Sequence, residues 1–180
     1  MAAEFEIHLN KSYFKFNCSH FIAYRGYRER LHGHNYHISV KFTGCDTLSV
    51  NGYLLDFGEA KKVVKAICCD MDEYFLVPTK SDVLKINLDD KQLLIECEDG
   101  SMFSFPKTDC KLLPLVHTSS EELSRYLWCR VVRDIGLDTL RCAGIQRIEL
   151  SLCETEGQSA TFRCDLPDEL LALAGSPAQT

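Results

Sequence analysis

A chain of 180 residues, 46% of them hydrophobic and 26% charged, is long enough for one domain with a sizeable core. Its 20 basic and 26 acidic side chains leave a net charge of -6 with no basic block, which argues against a nucleic-acid partner because phosphate binding needs concentrated Lys and Arg. No apolar run approaches the roughly 18 residues of a membrane span, and Met1 to Glu6 carry neither the basic nor the apolar part of a secretory signal. A soluble, cytoplasmic protein with no membrane partner is therefore expected. Its ten scattered cysteines are then expected to be free thiols rather than a disulfide framework.

Residues 4 to 18 alternate twice, with Phe5, Ile7 and Leu9, then Phe14, Phe16 and Cys18. The pattern predicts a strand, a break around Asn10 to Ser12, and a second strand or a bulge. His20 ends the second run. A short loop, 21 to 31, crowded with Tyr24, Arg25, Tyr27, Arg28, Glu29 and Arg30, leads to His32 and His34. Loops held by a rigid sheet are where binding and chemistry tend to sit. On a strand, His32 and His34 share a face with Tyr36, Ile38, Val40 and Phe42. Three imidazoles at the open end of a buried strand face, with one coordination position left open, would suit a catalytic zinc. His37 has the opposite parity and is read as a surface residue.

Asn51-Gly52 marks a turn. Asp56 to Glu59 forms a capping box, and the helix it opens places Phe57, Ala60, Val63, Val64 and Ile67 on one stripe. That helix is expected to end within 70–75, with Pro78 preventing continuation. Residues 79 to 110 hold three short strand-like segments (83–88, 93–97 and 102–105) separated by Asp89-Asp90 and Asp99-Gly100 turns. They show no ligand cluster.

Thr118 or Ser119 can cap a second helix, with Leu123, Tyr126, Leu127 and Val131 inward and Gly136 at its end. Residues 145 to 154 read as a strand on which Ile148, Leu150 and Leu152 share a face with Glu154. From parity alone, Glu154 lies either at an exposed strand end or in a pocket. A short strand over 159–164 follows, then a Leu-rich turn and disordered tail over 167–180. The whole predicts a single α+β domain over 1–166, a helix-covered antiparallel sheet with an inserted β-meander at about 79–110. Its sheet edges could be covered by oligomerisation.

Several segments together resemble the 6-pyruvoyltetrahydropterin synthase family, which includes the 6-carboxytetrahydropterin synthases. They are Cys18-Ser-His20, Leu31-His-Gly-His-Asn-Tyr36, Gly52-Tyr-Leu-Leu-Asp-Phe-Gly-Glu59, Met71-Asp-Glu73, Thr118-Ser-Ser-Glu-Glu-Leu123 and Leu152-Cys-Glu-Thr155. The resemblance implies the tunnelling fold (T-fold), a four-stranded antiparallel sheet with two helices on one face. It also implies a homohexamer of two trimers with active sites between subunits. By the same resemblance, His20, His32 and His34 ligate zinc, Glu154 anchors the pterin, and Glu121, Thr118, Ser119 and Ser120 line the substrate pocket.

Two departures from the family pattern bear on activity. The usual members carry a catalytic Cys in the loop before His-Gly-His, whereas this loop has Glu29 and no Cys. That resembles a variant class known from malaria parasites, which converts 7,8-dihydroneopterin triphosphate to the folate precursor 6-hydroxymethyl-7,8-dihydropterin. Some of its members also form 6-pyruvoyltetrahydropterin, the tetrahydrobiopterin precursor. The second departure replaces the usual Leu-Asp-His by Met71-Asp72-Glu73, so Asp72 loses its imidazole partner and Glu73 becomes a candidate proton shuttle. His117 is another candidate for that task, and Lys11, Arg25, Arg28 and Arg30 are candidates for the triphosphate. The expected function is a zinc-dependent lyase acting on the side chain of that pterin triphosphate. The alternatives are a 6-carboxytetrahydropterin synthase-like enzyme and an inactive pterin-binding homologue.

Overall fold

The computed structural model describes residues 3–167; the part of the expected tail from 168 onward lies outside the described residues. The chain opens on β1 (Glu4–His20), a single 17-residue strand with a register shift between Asn10 and Lys15. Ile7 and Leu9 are buried before the shift, and Phe14, Phe16, Cys18 and His20 after it. Across it β1 carries three more residues than β4, an odd number, which moves the inward set from odd to even numbers, so both halves serve one core face. The two alternating runs of the sequence are thus one bent strand.

A small hairpin, β2 (Ala23–Tyr24) and β3 (Tyr27–Arg28), turns at Gly26 with φ 78° and leads into β4 (His32–Cys45). Strands β1 and β4 pair antiparallel down to His20 opposite His32. Helix α1 (Phe57–Met71) is capped as expected, Asp56 Oδ1 accepting from the main-chain N–H groups of Gly58 at 2.6 Å and Glu59 at 3.3 Å. It buries Ala60, Val64, Ile67, Cys68 and Met71. Phe57 does not join that stripe: it sits in the first turn and is exposed.

Beyond α1, where the sequence predicts only a helix end, the chain forms β5 (Tyr74–Pro78). It pairs parallel with the end of β1. Three short strands, β6 (Lys85–Leu88), β7 (Gln92–Glu96) and β8 (Met102–Pro106), then form a separate antiparallel meander. After a 3₁₀ turn, β9 (Cys110–Leu113) returns to pair parallel with β5. Helix α2 (Ser120–Ile135) is capped by Ser119, whose Oγ accepts from Glu122 N at 3.3 Å, and stops at Gly136 with φ 97°. A further short helix, α3 (Leu137–Cys142), precedes β10 (Ile145–Thr155) and β11 (Gln158–Asp165).

The main sheet runs β11-β10-β4-β1-β5-β9. Its first four strands are the expected antiparallel unit; β5 and β9 extend it in parallel, so the sheet is mixed and the class α+β. Helices α1 and α2 cover one face. Phe14, Phe16, Ile38, Val40, Phe42, Leu150 and Leu152 fill the layer between. Trp128 of α2 lies in it with 1% exposure, its indole N–H donating to Ile148 O at 2.9 Å and its ring edge-on to Phe162. The other face is polar: Lys41 lies 3.6 Å from Glu6 and 3.9 Å from Glu149, and Arg163 donates to Glu149 at 2.8 Å.

A second, smaller core joins the meander to the loop after His20. Phe21 and Ala23 pack with Phe75, Val77, Leu93 and Ile95. Phe21 stacks on Phe103 with centroids 5.0 Å apart, and Phe75 on Phe105 at 4.2 Å.

Candidate active site

The pairing of β1 with β4 decides where three imidazoles fall. His20 ends one strand, His32 begins the other directly opposite, and His34 follows two residues later on the same face, opposite Cys18. The ring centroids are 4.8 Å apart for His20–His32 and His32–His34, and 5.3 Å for His20–His34. Glu154, at the end of β10, completes the group. One potential ligand atom from each of His20, His32, His34 and Glu154 lies within 4.8 Å of the others.

Main-chain carbonyls orient two of the rings. His20 Nδ1 lies 3.0 Å from Thr118 O, and His32 Nδ1 lies 2.7 Å from Arg30 O. A carbonyl only accepts, so each Nδ1 carries a proton, and in the neutral ring this leaves the lone pair on Nε2. Such an acceptor behind the imidazole is the usual support of a metal-bound histidine. His34 Nε2 is 2.7 Å from Glu154 Oε1, yet this buried nitrogen has no hydrogen-bond partner, because the carboxylate lies off the line of the ring N–H. A buried nitrogen left without a hydrogen bond beside two lone-pair nitrogens fits a cation. Imidazole nitrogens with an adjacent carboxylate are a donor set that zinc accepts.

Burial, with repulsion from His32 and His34, lowers the pKa of His20 below its ordinary value. Neutral imidazoles are what a metal requires. Tyr36, two residues after His34 on the same face, brings its hydroxyl to 3.4 Å from His20 Nε2. Burial raises its pKa, with the Glu154 charge adding to the effect, so the phenol stays a neutral donor. Sequence reading placed Tyr36 on the buried face but not in the site, although its parity with His34 was the available signal.

Glu29, Ser119, Ser120, Glu121 and Glu154 line one cavity of about 270 Å³, with Ile22 and the start of β11 closing it. Glu29 is tied to the loop entrance twice: its Oε2 accepts from Ile22 N at 3.0 Å, and its own N–H donates to Ile22 O at 2.9 Å. Ser120 Oγ donates to Glu154 Oε2 at 2.6 Å. Thr118 lies behind this wall, fully buried, its hydroxyl 3.3 Å from Phe21 O and 3.2 Å from His20 Nδ1. It supports a histidine rather than facing the cavity.

Asp72 and Glu73 lie elsewhere. Asp72 Oδ1 accepts from Asn17 N at 2.6 Å, and Glu73 N donates to Asn17 O at 2.7 Å, so the pair brackets one residue of β1. Glu73 has φ 64°, the one non-glycine residue with positive φ among the described residues. Strain of that kind is of order 1–3 kcal/mol and gathers at functional positions. Glu73 lines a second cavity of about 520 Å³ with Cys18, His34, Asn35, Phe105 and Asp109. Within one chain the histidine–glutamate cluster thus stands between two cavities, Glu29 in one and Glu73 in the other. His117 precedes α2, its main-chain N–H donating to Glu122 Oε2 at 3.2 Å.

Cys18 faces the Glu73 cavity, but burial, followed by the Asp72 and Glu154 charges, pushes its thiol up to about 12. It is protonated at neutral pH and is not a thiolate nucleophile.

The model of the 6-pyruvoyl tetrahydropterin synthase family matches residues 8–165. A Methanocaldococcus jannaschii protein provisionally named 6-carboxy-5,6,7,8-tetrahydropterin synthase is 33% identical over 133 residues, 74% of this chain and 79% of its own length. The 6-pyruvoyl tetrahydropterin synthase of Plasmodium falciparum superposes with TM-score 0.87 at 39% identity, covering 91% of this chain and 99% of that one. A Plasmodium vivax 6-pyruvoyltetrahydropterin synthase, solved as a variant with a catalytic glutamate replaced by alanine, matches with the same TM-score and coverage at 36% identity. With the family model spanning nearly the whole described chain, and the histidine cluster lying at the paired ends of β1 and β4, this chain belongs to the 6-pyruvoyl tetrahydropterin synthase family.

Proposed function

We propose that the protein is a zinc-dependent lyase acting on the side chain of 7,8-dihydroneopterin triphosphate. The observation that carries this reading is the single cavity in which Glu29 faces Glu154, with Glu154 at 2.7 Å from the histidine cluster. The P. vivax relative has a catalytic glutamate; this chain places Glu29 in the loop between its first two metal-ligating candidates.

His20, His32 and His34 would hold the metal, which when bound supplies Lewis-acid polarisation of the substrate's side-chain oxygens. Glu154 accepts hydrogen bonds from the pterin 2-amino and ring N–H groups, and Ser120 holds that carboxylate in place. Glu29 takes the proton from the hydroxyl on the second side-chain carbon. The bond between the first and second side-chain carbons then breaks, its electron pair passing into the ring imine. A proton returned to the first carbon completes 6-hydroxymethyl-7,8-dihydropterin, and the triphosphate leaves on a two-carbon aldehyde. Triphosphate elimination with internal redox gives 6-pyruvoyltetrahydropterin from the same bound substrate. Asp72 positions Glu73, whose carboxylate exchanges protons with the side chain bound in an adjoining subunit of a hexamer built from two trimers.

Incubating the zinc-loaded protein with 7,8-dihydroneopterin triphosphate and resolving the pterins tests this directly. Either product supports the lyase. Glu29→Ala is expected to lose turnover while keeping its zinc, and loss of both would make Glu29 a ligand instead of a base. Tight pterin binding with no product from the wild type would leave an inactive homologue. The archaeal relative's name favours a second reading, and a 6-carboxytetrahydropterin product would establish it.

A further inference from the structure

Apart from Phe105 in the wall of the Glu73 cavity, the meander β6–β8 carries no residue of the site described above, yet it is fastened to the loop that carries Glu29. The fastening runs through Arg28. Its Nε donates to Asp99 Oδ2 at 3.0 Å, and one terminal nitrogen donates to Ser101 Oγ at 3.0 Å. The other terminal nitrogen donates to the main-chain carbonyl of Glu29 at 2.8 Å. The guanidinium lies over Phe103 at 5.3 Å and Phe21 at 5.9 Å. One turn further along the hairpin, Gly26 N donates to Glu98 Oε2 at 3.0 Å.

Each nitrogen of the guanidinium is therefore occupied, two by the β7–β8 turn and one by Glu29. The planar fork is the property that lets one arginine hold three such partners at fixed angles; an ammonium on a flexible stem does not. The loop would otherwise be held at its two histidine ends and by the Glu29–Ile22 pair of bonds. Phe21 and Ala23 are buried in the meander's own core, so the inserted sheet and the first half of the loop form one packed unit. Arg28 joins the second half to that unit next to Glu29. Its engagement also removes it from the basic residues available to a triphosphate.

We infer that the inserted meander is a positioning element for the catalytic loop, acting through Arg28, with Asp99 and Ser101 fixing the guanidinium that sets the main chain of Glu29. This rests on Glu29 being the base of the proposed reaction. Misplacing a reacting group by about an ångström can cost on the order of a hundredfold in rate. Holding a carboxylate at such tolerance from a loop requires support outside the loop.

The test is a mutant cycle on the zinc-loaded enzyme, with turnover expressed per pterin-binding site so that unfolded protein does not count. Arg28→Ala is expected to lower kcat by about tenfold or more with KM changed by less than about threefold. The double variant Asp99→Ala/Ser101→Ala, which removes the struts but leaves the arginine, is expected to do the same. Lys85→Ala, at an exposed ion pair with Glu96 that bonds neither Arg28 nor the loop, is expected to change nothing. The deciding measurement combines Arg28→Ala with Glu29→Ala. A residue acting through Glu29 adds no further loss of residual turnover, whereas a structural defect lowers it by the same factor as in the wild type. Wild-type kcat in Arg28→Ala, or full additivity with Glu29→Ala, overturns the inference. Wild-type turnover in Glu29→Ala instead overturns the assignment of the base, so the two failures are told apart.

Discussion

His20 and His32 lean on main-chain carbonyls, so their orientation depends on backbone position more than on any side chain behind them. Thr118→Val therefore removes the hydroxyl's contacts with His20 Nδ1 at 3.2 Å and Phe21 O at 3.3 Å but keeps the carbonyl that holds the His20 ring. Its metal affinity should fall by no more than about tenfold, the low end for a lost supporting contact. Competition against a chromogenic chelator would measure this, and a complete loss would mean that the hydroxyl sets the ring. Glu154 stands differently, since its two oxygens meet His34 and Ser120 and it also faces the cavity. Glu154→Gln should retain metal near the wild-type content while pterin affinity drops about tenfold or more, the scale of a lost charged hydrogen bond. Parallel metal analysis and dihydroneopterin titration test it, and joint loss would make this carboxylate a fourth ligand. The imidazoles were legible because strand parity and pairing are local. Glu154 was ambiguous because parity places a side chain on a face without saying what stands opposite. Asp99 was illegible beyond its turn, since its arginine is 71 residues away in sequence.

At the scale of elements, both long helices and the four antiparallel strands follow from periodicity and capping residues, and even the bulge in β1 was visible as a change of parity. Strands β5 and β9 were not. Parallel partners are distant in the chain, and Phe75, Leu76 and Val77 are all buried, which erases the alternation that marks a strand. What fastens this added edge to the helices is Asp70, at the end of α1, which binds Lys111 of β9 at 2.5 Å and Arg130 of α2 at 2.8 Å. Burial pushes its carboxyl up, but the two cations outweigh that and hold it below the usual range. A depressed native pKa stabilises the fold fully above the unfolded value of about 3.9, and the contribution disappears as pH falls through the native value. Urea unfolding of Asp70→Asn should accordingly show a shallower loss of stability below about pH 4 than the wild type. An unchanged slope would show that the bridge does not couple to folding.

Among the described residues, the sheet leaves one face of charged and hydroxyl side chains uncovered and ends in two unpaired edges, β9 and β11. Glu29 and Glu73 lie in different cavities of one chain, and a second copy would be needed to bring such groups to one substrate. Light scattering is expected to give about six times the 20.5 kDa of one chain. An active monomer would remove the shared site. The seat of Trp128, between α2 and β10 and bonded to Ile148 O, has a practical corollary. It is the only tryptophan in the sequence, so its emission should begin at short wavelength and move to the red only when that layer comes apart. A fluorescence melt therefore reports the central sandwich and is blind to the Arg28 clamp, so a variant there can lose its chemistry with an unaltered optical transition.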